Sequence, residues 1–315
     1  MRLKPAADWL VYASVRILIC VVQALPLDLC HTIAKGLAVV AADVVRVRHG
    51  VVDENLRHAF PEWNGAYRRR FIRRTWEHLF LMVVEVAQAR RKIHQASFHQ
   101  YVTFRNKPLL VKYLLDPRPT VLVTGHYGNF EVAGYVLGLF GFPTFTIARR
   151  LDNPYLDRFL NEFRSSTGQY LLPKQGCAPQ VQRVLDAGGT LSLLGDQYAG
   201  NKGCWVEFLG RPASCHKAVA LFTLSSGAPQ LVCYLRRRGN TPMQFEIGLV
   251  GVADPASWER ELAGVKPLTQ WYSERLEKMI LGAPEQYWWV HRRWKDRRSQ
   301  RRKRDVAKSR GVKAA

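Results

Sequence analysis

The sequence has few cysteines, and their spacing does not indicate disulfide bonds. The six cysteines are scattered over 315 residues without a Cys-x-x-Cys pair. Cys204, Cys215 and His216 fit no familiar zinc-ligand spacing, and no secretory cleavage pattern stands near the start of the chain. We therefore predict free thiols in a reducing compartment and no bound metal.

Acidic residues are also scarce. The chain carries 25 Asp and Glu against 47 Lys and Arg, which gives a formal net charge of +22 and a pI near 10.1. An excess of this size predicts an anionic partner, which could be nucleic acid, acidic lipid headgroups or an acidic carrier protein. Charge alone leaves all three open.

Two further absences limit the chemistry and the organisation. No Gly-x-Ser-x-Gly motif is present, so a serine nucleophile on a strand-to-helix elbow is not expected. No internal repeat or long flexible linker interrupts the chain, and apolar residues make up 47% of it, which is enough for a substantial core. One catalytic domain is the simplest organisation, although this length also permits two small domains.

The most apolar segment lies near the start of the chain. Fourteen of the seventeen residues at 9–25 are apolar, and a helix of this length would span about 26 Å, slightly less than a hydrocarbon core of about 30 Å. Arg16 near its middle would cost about 2.5–3.5 kcal/mol in a bilayer. Together with an apolar stretch at 29–47, this segment predicts a membrane-anchored helical hairpin over residues 1–50. A soluble helix pair packed on the core is the alternative.

Residues 50–100 are predicted to be helical. Five arginines occur within residues 67–74, and apolar residues at helical spacing follow between Trp76 and Val86. An arginine run is usually a solvated face, but beside an apolar hairpin it would also suit anionic lipid headgroups.

The best candidate for chemistry is the stretch Val121–Glu131. An apolar, β-branched run ends in the turn-forming residues 125–129, and a helix-like sequence follows. This order places His126 at the carboxyl edge of a sheet, where the sites of α/β folds gather, and Glu131 in a first helical turn. We expect the imidazole to fold back against this carboxylate, as a base and its orienting partner. A turn histidine beside a solvated acid is the alternative.

Strands and helices are predicted to alternate after this motif. Strands are expected at 144–147, 170–172, 190–194, 231–235 and 245–250, and helices at 154–166, 178–187 and 217–226. Such alternation predicts an α/β fold with a single twisted, mostly parallel sheet flanked by helices. An antiparallel arrangement stays open for the later strands.

Polar residues recur where these strands end. Arg149 follows one strand, Asp196 and Gln197 follow another, and Arg164 lies on the intervening helix. Around His126, the arginines would suit bidentate contacts with phosphate or carboxylate. Surface or structural ion pairs are the alternative for each arginine taken singly.

The C-terminal part combines aromatic and basic residues. The aromatic cluster at 284–295 predicts a helix packed on the core. Residues 291–315 contain twelve Lys or Arg and two Asp, so they contribute +10 of the net charge. The tail at 297–315 is predicted to be disordered, and an anionic membrane face would attract it without any role in nucleic-acid binding.

Four separated segments together resemble one family. They are Gly125–Glu131, Arg149–Pro154 with Arg164, Gly195–Gln197 with Phe208–Ala213, and Pro284–Lys295. In this order they are similar to the lipid A biosynthesis acyltransferases, the late lauroyl/myristoyl enzymes of the lysophospholipid acyltransferase superfamily. The resemblance covers most of residues 5–296.

The resemblance implies an enzyme on the cytoplasmic face of the bacterial inner membrane. It would move a fatty acyl chain from a thioester, on acyl carrier protein or coenzyme A, to a hydroxyl of a glycolipid, without a metal or cofactor. His126 would be the general base and Glu131 its partner, with Asn129, Arg149, Arg164, Asp196 and Gln197 around the substrates. The amides of residues 127–129 or a nearby arginine would stabilise the developing oxyanion.

The expected organisation has three parts: an anchor over residues 1–50, an acyltransferase domain over 51–296 and a basic tail over 297–315. One alternative function is acylation of another lipid, such as a lysophospholipid or a phosphoinositide mannoside. A basic protein that binds membranes or nucleic acid without catalysis is the other.

Overall fold

A computed structural model describes residues 3–258 and 260–295 of the chain. Helices dominate the first hundred residues, and strands and helices alternate after them. The helices of this part are α1 (Leu3–Ala24), α2 (Leu27–Val39), α3 (His49–Ala59), α4 (Gly65–Lys92), α5 (Lys107–Leu114), α6 (Phe130–Leu139), α7 (Pro154–Ser165), α8 (Ala178–Asp186), α9 (Lys217–Ser226) and α10 (Val265–Gly282). The strands are β1 (Val102–Arg105), β2 (Thr120–Thr124), β3 (Thr144–Ala148), β4 (Gln169–Pro173), β5 (Thr190–Leu194), β6 (Cys204–Phe208), β7 (Arg211–Cys215), β8 (Gln230–Arg237) and β9 (Phe245–Ala253).

Seven strands form one sheet in the order β1-β9-β8-β2-β5-β3-β4. Every neighbouring pair is parallel except β8 with β9, which is antiparallel. The predicted α/β fold with a mostly parallel sheet is therefore confirmed, and the antiparallel pair lies among the later strands, where it had been left open.

Helices cover both faces of this sheet, so its central strands are apolar on both sides. On β2, the side chains of Val121 and Val123 pack in a cluster with Val219 of α9 and Tyr272 of α10. The intervening Leu122 points the other way and packs in a second cluster that includes α6. This arrangement explains why β2 reads as a continuous apolar run, and it places the carboxyl end of β2 between two helical layers.

The β6–β7 hairpin was not predicted, and its turn explains why. Leu209 and Gly210 are its two connecting residues, and both have positive φ angles, of 49° and 71°. A tight turn of this kind normally shows an Asn-Gly or Asp-Gly signature. Leucine at the first position hides that signal.

The N-terminal helices pack on the protein and also expose an apolar surface. Gln23 at the end of α1 donates a hydrogen bond to the Ala87 carbonyl of α4 at 2.7 Å. Arg16 donates to the Tyr12 hydroxyl at 2.9 Å, and its guanidinium lies 4.9 Å from the ring centroid of Phe159 on α7. The solvent-facing apolar side chains are Trp9, Leu10, Val11, Ile17, Leu18, Val21, Leu29, Ile33 and Leu37. By length and composition alone, the helix at Lys4–Ala24 could cross a membrane.

Asn153 connects α1 to α7. Its side-chain oxygen caps α7 by accepting hydrogen bonds from the amides of Tyr155 and Leu156, and its Nδ2 donates to the Asp8 carbonyl of α1. Replacing Asn153 with alanine is expected to lower the free energy of unfolding by about 1 kcal/mol, the usual value of such a cap. Chemical denaturation measures this, with Asn161→Ala on the same helix changing stability by less than about 0.5 kcal/mol. Equal losses in both variants would contradict the capping role.

The aromatic segment near the C-terminus is not the helix that the sequence predicts. Only Pro284–Gln286 form a helical turn. The carbonyls of Trp289 and His291 both accept hydrogen bonds from the Asn55 side chain on α3, at 2.7 Å each. These carbonyls are bound to a side chain instead of to a helical ladder, while Trp289 is fully buried. The predicted packing on the core is therefore right and the predicted helix is wrong. The basic tail at 297–315 lies outside the described residues.

Candidate active site

The register of two adjacent strands brings the candidate base and an acid together. β2 and β5 are parallel neighbours, with Thr124 paired to Leu194, and the Gly195 amide extends the pairing by donating to the Thr124 carbonyl at 2.8 Å. His126 follows Thr124 by two residues, and Asp196 follows Leu194 by two. Both side chains therefore emerge side by side at the carboxyl edge of the sheet.

Asp196 holds both the ring and the backbone of His126. Its Oδ1 lies 2.8 Å from His126 Nδ1, and its Oδ2 accepts a hydrogen bond from the His126 amide at 2.8 Å. Only 3% of Asp196 is exposed. A Cβ at Gly125 would lie 3.2 Å from Asp196 Oδ2, so glycine there leaves room for the carboxylate. Because a carboxylate only accepts, His126 Nδ1 carries the proton and Nε2 keeps its lone pair as an acceptor.

The predicted contact between His126 and Glu131 is wrong. Arg164 on α7 engages both carboxylate oxygens of Glu131, through Nε at 2.9 Å and Nη2 at 2.6 Å. Glu131 lies in the first turn of α6 beside α7, whereas Asp196 lies on the adjacent strand end. The carboxylate that contacts the imidazole in the structure is therefore Asp196, which the sequence placed among the substrate contacts. Arg164, expected to contact substrate, forms an ion pair with Glu131.

Two opposing effects act on the pKa of His126. Burial alone would lower this pKa, but the charge and the hydrogen bond of Asp196, together with the charge of Glu131, raise it above the ordinary histidine value. Burial would likewise raise the pKa of Asp196, yet the contacts with His126 bring it below its usual range. The pair therefore keeps Asp196 ionised and makes the His126 imidazole a stronger base.

The other face of the imidazole points into a cavity. Gln197 Nε2 lies 3.0 Å from His126 Nε2 and is placed to donate to it, in the position where a substrate hydroxyl would approach. Phe130 and Trp288 flank the ring, with centroids 5.1 Å and 5.9 Å away. The sequence predicts a substrate contact for Gln197, whose partner in the structure is the His126 ring.

The turn after His126 is held from both sides. Gly128 adopts a φ of +59°, and a Cβ there would lie 2.0 Å from the Leu235 carbonyl, so only glycine fits. The Gly128 amide donates to the Gln286 carbonyl, and the Asn129 amide donates to the Leu235 carbonyl, both at 2.9 Å. These two amides are occupied, which removes them as the oxyanion donors that the sequence suggested.

Asn129 serves the fold instead of the substrate. It is 1% exposed, its Oδ1 accepts a hydrogen bond from the Val132 amide at the start of α6, and its Nδ2 donates to Glu85 Oε2 at 3.0 Å. Glu85 in turn is engaged by Arg237 Nε at 2.6 Å and Nη2 at 2.9 Å. The predicted substrate contact of Asn129 is wrong, because its polar atoms are consumed by this buried network.

The cavity beside His126 has a volume of about 640 Å³. Glu131, Arg149, Arg164 and Gln197 line it. Arg149 lies at its exposed border with 74% of its side chain accessible, paired with Asp152. Sequence reasoning did not identify the cavity residues Lys174, Cys233 and Trp288, although Trp288 belongs to the aromatic segment that carried the family resemblance. His216 also lines the cavity. The sequence pattern considered this residue only as a zinc ligand, which its spacing does not fit.

The candidate site involves no metal cluster. Among residues 3–258 and 260–295, no group of three or more His, Cys, Asp or Glu side chains is placed to hold a metal ion. All six cysteines are unpaired. The site residues near His126 are a carboxylate, an amide and an ion pair, which fit proton transfer and anion stabilisation.

Comparison with known proteins identifies the family of this chain. A family model described as bacterial lipid A biosynthesis acyltransferase matches residues 2–296. The chain is 24% identical over 295 residues to the lipid A biosynthesis lauroyltransferase of Escherichia coli (strain K12) and 22% identical over 292 residues to the palmitoleoyltransferase of the same organism. Each alignment covers 92% of both proteins. The crystal structure of the 1-acyl-sn-glycerophosphate acyltransferase of Thermotoga maritima aligns with 13% identity over 86% of this chain and 100% of that one, at a TM-score of 0.39.

Proposed function

Because the chain belongs to the bacterial lipid A biosynthesis acyltransferase family, we propose that it transfers a fatty acyl chain from a thioester to a hydroxyl group of a lipid A-type glycolipid. The observation that carries this proposal is the His126–Asp196 pair at the border of a largely apolar cavity of about 640 Å³. Such a cavity suits a hydrocarbon chain, and the pair suits activation of a hydroxyl.

In the proposed reaction, His126 Nε2 removes the proton of the acceptor hydroxyl as its oxygen attacks the thioester carbonyl. The carbon–oxygen bond forms, the carbon–sulfur bond breaks, and the departing thiolate takes the proton back from the imidazolium. Asp196 keeps the Nδ1–H tautomer and stabilises the imidazolium. Gln197 would yield its place at Nε2 to the hydroxyl. No acyl-enzyme is needed.

The developing oxyanion needs donors, and the start of α6 supplies the best candidates. The amides of Phe130 and Glu131 make no hydrogen bond to another described residue. Both residues line the cavity, and free amides at a helix N-terminus favour negative charge. The ion pair between Arg164 and Glu131 places a guanidinium at the same border. We assign the oxyanion to these amides.

The membrane part of the proposal concerns residues 1–50. Both α1 and α2 carry exposed apolar side chains. The Arg16 guanidinium contacts Tyr12 and Phe159, which reduces the cost of placing its charge in an apolar medium. We propose that this segment anchors the catalytic domain, residues 51–296, at the cytoplasmic face of the inner membrane. The net positive charge would favour its anionic lipids.

A single substitution tests this anchor. Ile17 is 65% exposed on α1, and burying such a side chain in lipid is worth about 1.5–3 kcal/mol. Ile17→Ser is therefore expected to lower the partition coefficient onto anionic vesicles by about tenfold, since 1.4 kcal/mol is one decade. Leu115→Ser, at an exposed leucine outside the helix pair, is the control. Equal binding by both variants and the unaltered protein would refute the anchor.

The transfer itself is tested with purified protein and defined lipids. The assay combines an acyl thioester, on either acyl carrier protein or coenzyme A, with a lipid A precursor, and mass spectrometry detects a product heavier by one acyl group. Parallel reactions with a lysophospholipid and a phosphoinositide mannoside address the alternative acceptors. Acylation of one of these instead of the glycolipid would overturn the acceptor assignment, and the comparison of donors identifies the carrier.

A further inference from the structure

The cavity reaches both faces of the sheet around its carboxyl edge. Successive residues of a strand point to opposite faces, yet Thr146 and Ile147 of β3 both line the cavity, as do Ser192 and Leu193 of β5. One part of the cavity therefore lies under α6, and another lies on the side of α9. We call these parts the α6 compartment and the α9 compartment.

The α6 compartment is suited to hydrocarbon. Its lining includes the apolar residues Leu110, Leu122, Leu137, Cys233, Leu235 and Ile247, together with the polar side chains of Thr146 and Ser192. Burial raises the pKa of the Cys233 thiol to about 12, so this thiol stays neutral and behaves as a small apolar group. The fatty acyl chain has its natural place here.

The α9 compartment has a different border. Val219 and Phe222 of α9 are apolar, but the exposed residues Lys174 after β4 and His216 before α9 also line the cavity. Lys174 is exposed and forms no ion pair with a described residue. Among the residues lining the whole cavity, Glu131 is the one carboxylate, and Arg164 already neutralises it. An uncompensated positive charge therefore borders this compartment.

His216 adds hydrogen-bond donors to that charge. It precedes α9, and its side chain does not cap the helix, so the first amides of α9 are left for another partner. Burial and the nearby charge of Lys174 lower the pKa of His216, which keeps its ring neutral at pH 7 with one N–H to donate. A lysine, a neutral imidazole and a helix N-terminus together present the donors that a phosphate group accepts.

We propose that Lys174, His216 and the first amides of α9 form a binding site for the phosphate group of a phosphorylated substrate. The site rests on the proposed function, because it positions that substrate's reacting group at His126 while hydrocarbon fills the α6 compartment. Two substrates of the proposed reaction can carry such a phosphate. One is the donor, through the phosphopantetheine arm of its thioester, and the other is the glycolipid acceptor.

The test compares matched substrates with and without phosphate. The donor pair is acyl-phosphopantetheine and acyl-pantetheine, and the acceptor pair is a glycolipid before and after removal of its phosphate. Lys174→Gln is expected to lower kcat/KM about tenfold for the phosphorylated member of one pair and to leave the other member unchanged. Lys174→Arg should retain most of the activity. Lys278→Gln, which removes an exposed charge on α10, should change neither.

The substrate pair in which Lys174→Gln lowers kcat/KM for the phosphorylated member identifies the source of the phosphate. An equal loss on all four substrates, or no loss on any, would overturn the site. Equilibrium binding of phosphopantetheine and pantetheine, and of the two glycolipids, gives a readout that needs no turnover. Lys174→Gln should weaken binding of only the phosphorylated member of the responding pair. A protein that binds this way but transfers no acyl group would refute the proposed function and leave the phosphate site standing.

Discussion

Replacing His126 with glutamine is expected to lower the turnover number of acyl transfer by about 10²- to 10⁴-fold, the usual contribution of a general base. Glutamine retains hydrogen-bonding capacity but cannot take a proton at neutral pH. The KM values should change little, because His126 acts on the hydroxyl during the reaction. Rates are measured by mass spectrometry of the acylated glycolipid.

The control for this experiment is His99→Gln, at an exposed histidine outside the cavity. It should leave the turnover number unchanged. A His126→Gln variant that keeps the turnover number of the unaltered protein would eliminate the imidazole as the base.

The pH dependence of the unaltered protein follows from the same group. His126 accepts a proton only when it is neutral, and contacts with Asp196 and Glu131 raise its pKa despite burial. Activity should therefore be low at acid pH and rise as the pH passes through a value above the ordinary histidine pKa of about 6.5. This rise of activity on the acid side of the pH profile, the acid limb, is the reference for the Asp196→Asn variant.

Replacing Asp196 with asparagine should have the second large effect, a loss of about 10²- to 10⁴-fold in turnover. Asp196 accepts hydrogen bonds from both the ring and the backbone amide of His126. The amide group of asparagine can accept at one of these positions and must donate at the other. The loss of the Asp196 charge should also move the acid limb to lower pH, because that charge raises the pKa of His126.

Glu131→Gln separates the two candidate partners of His126. It breaks the bidentate pair with Arg164 and can reduce turnover, but Asp196 still holds the imidazole. Its acid limb should therefore shift less than that of Asp196→Asn. If Glu131→Gln instead gives the larger shift, the His126–Glu131 pair that the sequence suggested is the working one. Thermal denaturation of both variants shows whether the fold is intact.

The C-terminal aromatic segment illustrates how a motif and its structural role differ. The sequence marked residues 284–295 as part of the family pattern, without indicating what they contact. In the structure, the Trp288 amide donates to the His126 carbonyl at 2.9 Å, and Tyr127 and Tyr287 form an isolated antiparallel bridge. The segment therefore braces the turn that carries His126, and this role depends on pairing between backbone groups about 160 residues apart in the sequence.

Buried polar residues were the hardest to predict. Glu85 and Arg237 are 0% and 3% exposed at their side chains and form a bidentate pair behind the His126 turn. In the sequence, Glu85 is one acid in a helix and Arg237 one of several adjacent arginines. The local sequence pattern does not indicate a partner for Glu85 or for Arg237, because the pair joins α4 to β8 across 152 positions.

The sequence motifs carried the family resemblance, and the sequence by itself also determined the strands of the seven-stranded sheet from β2 onward, the helices between them, and the place of His126 at a strand end. The strands, the helices and the turn at His126 depend on apolar periodicity and turn chemistry within about ten residues, which a single chain displays directly. Only the tertiary structure decided that His126 pairs with Asp196 and Glu131 with Arg164. The physical reason is the sheet order: β2 lies beside β5 in parallel register, which places the 126th and 196th residues side by side. The spacing of residues along the chain does not reveal that His126 and Asp196 are neighbours.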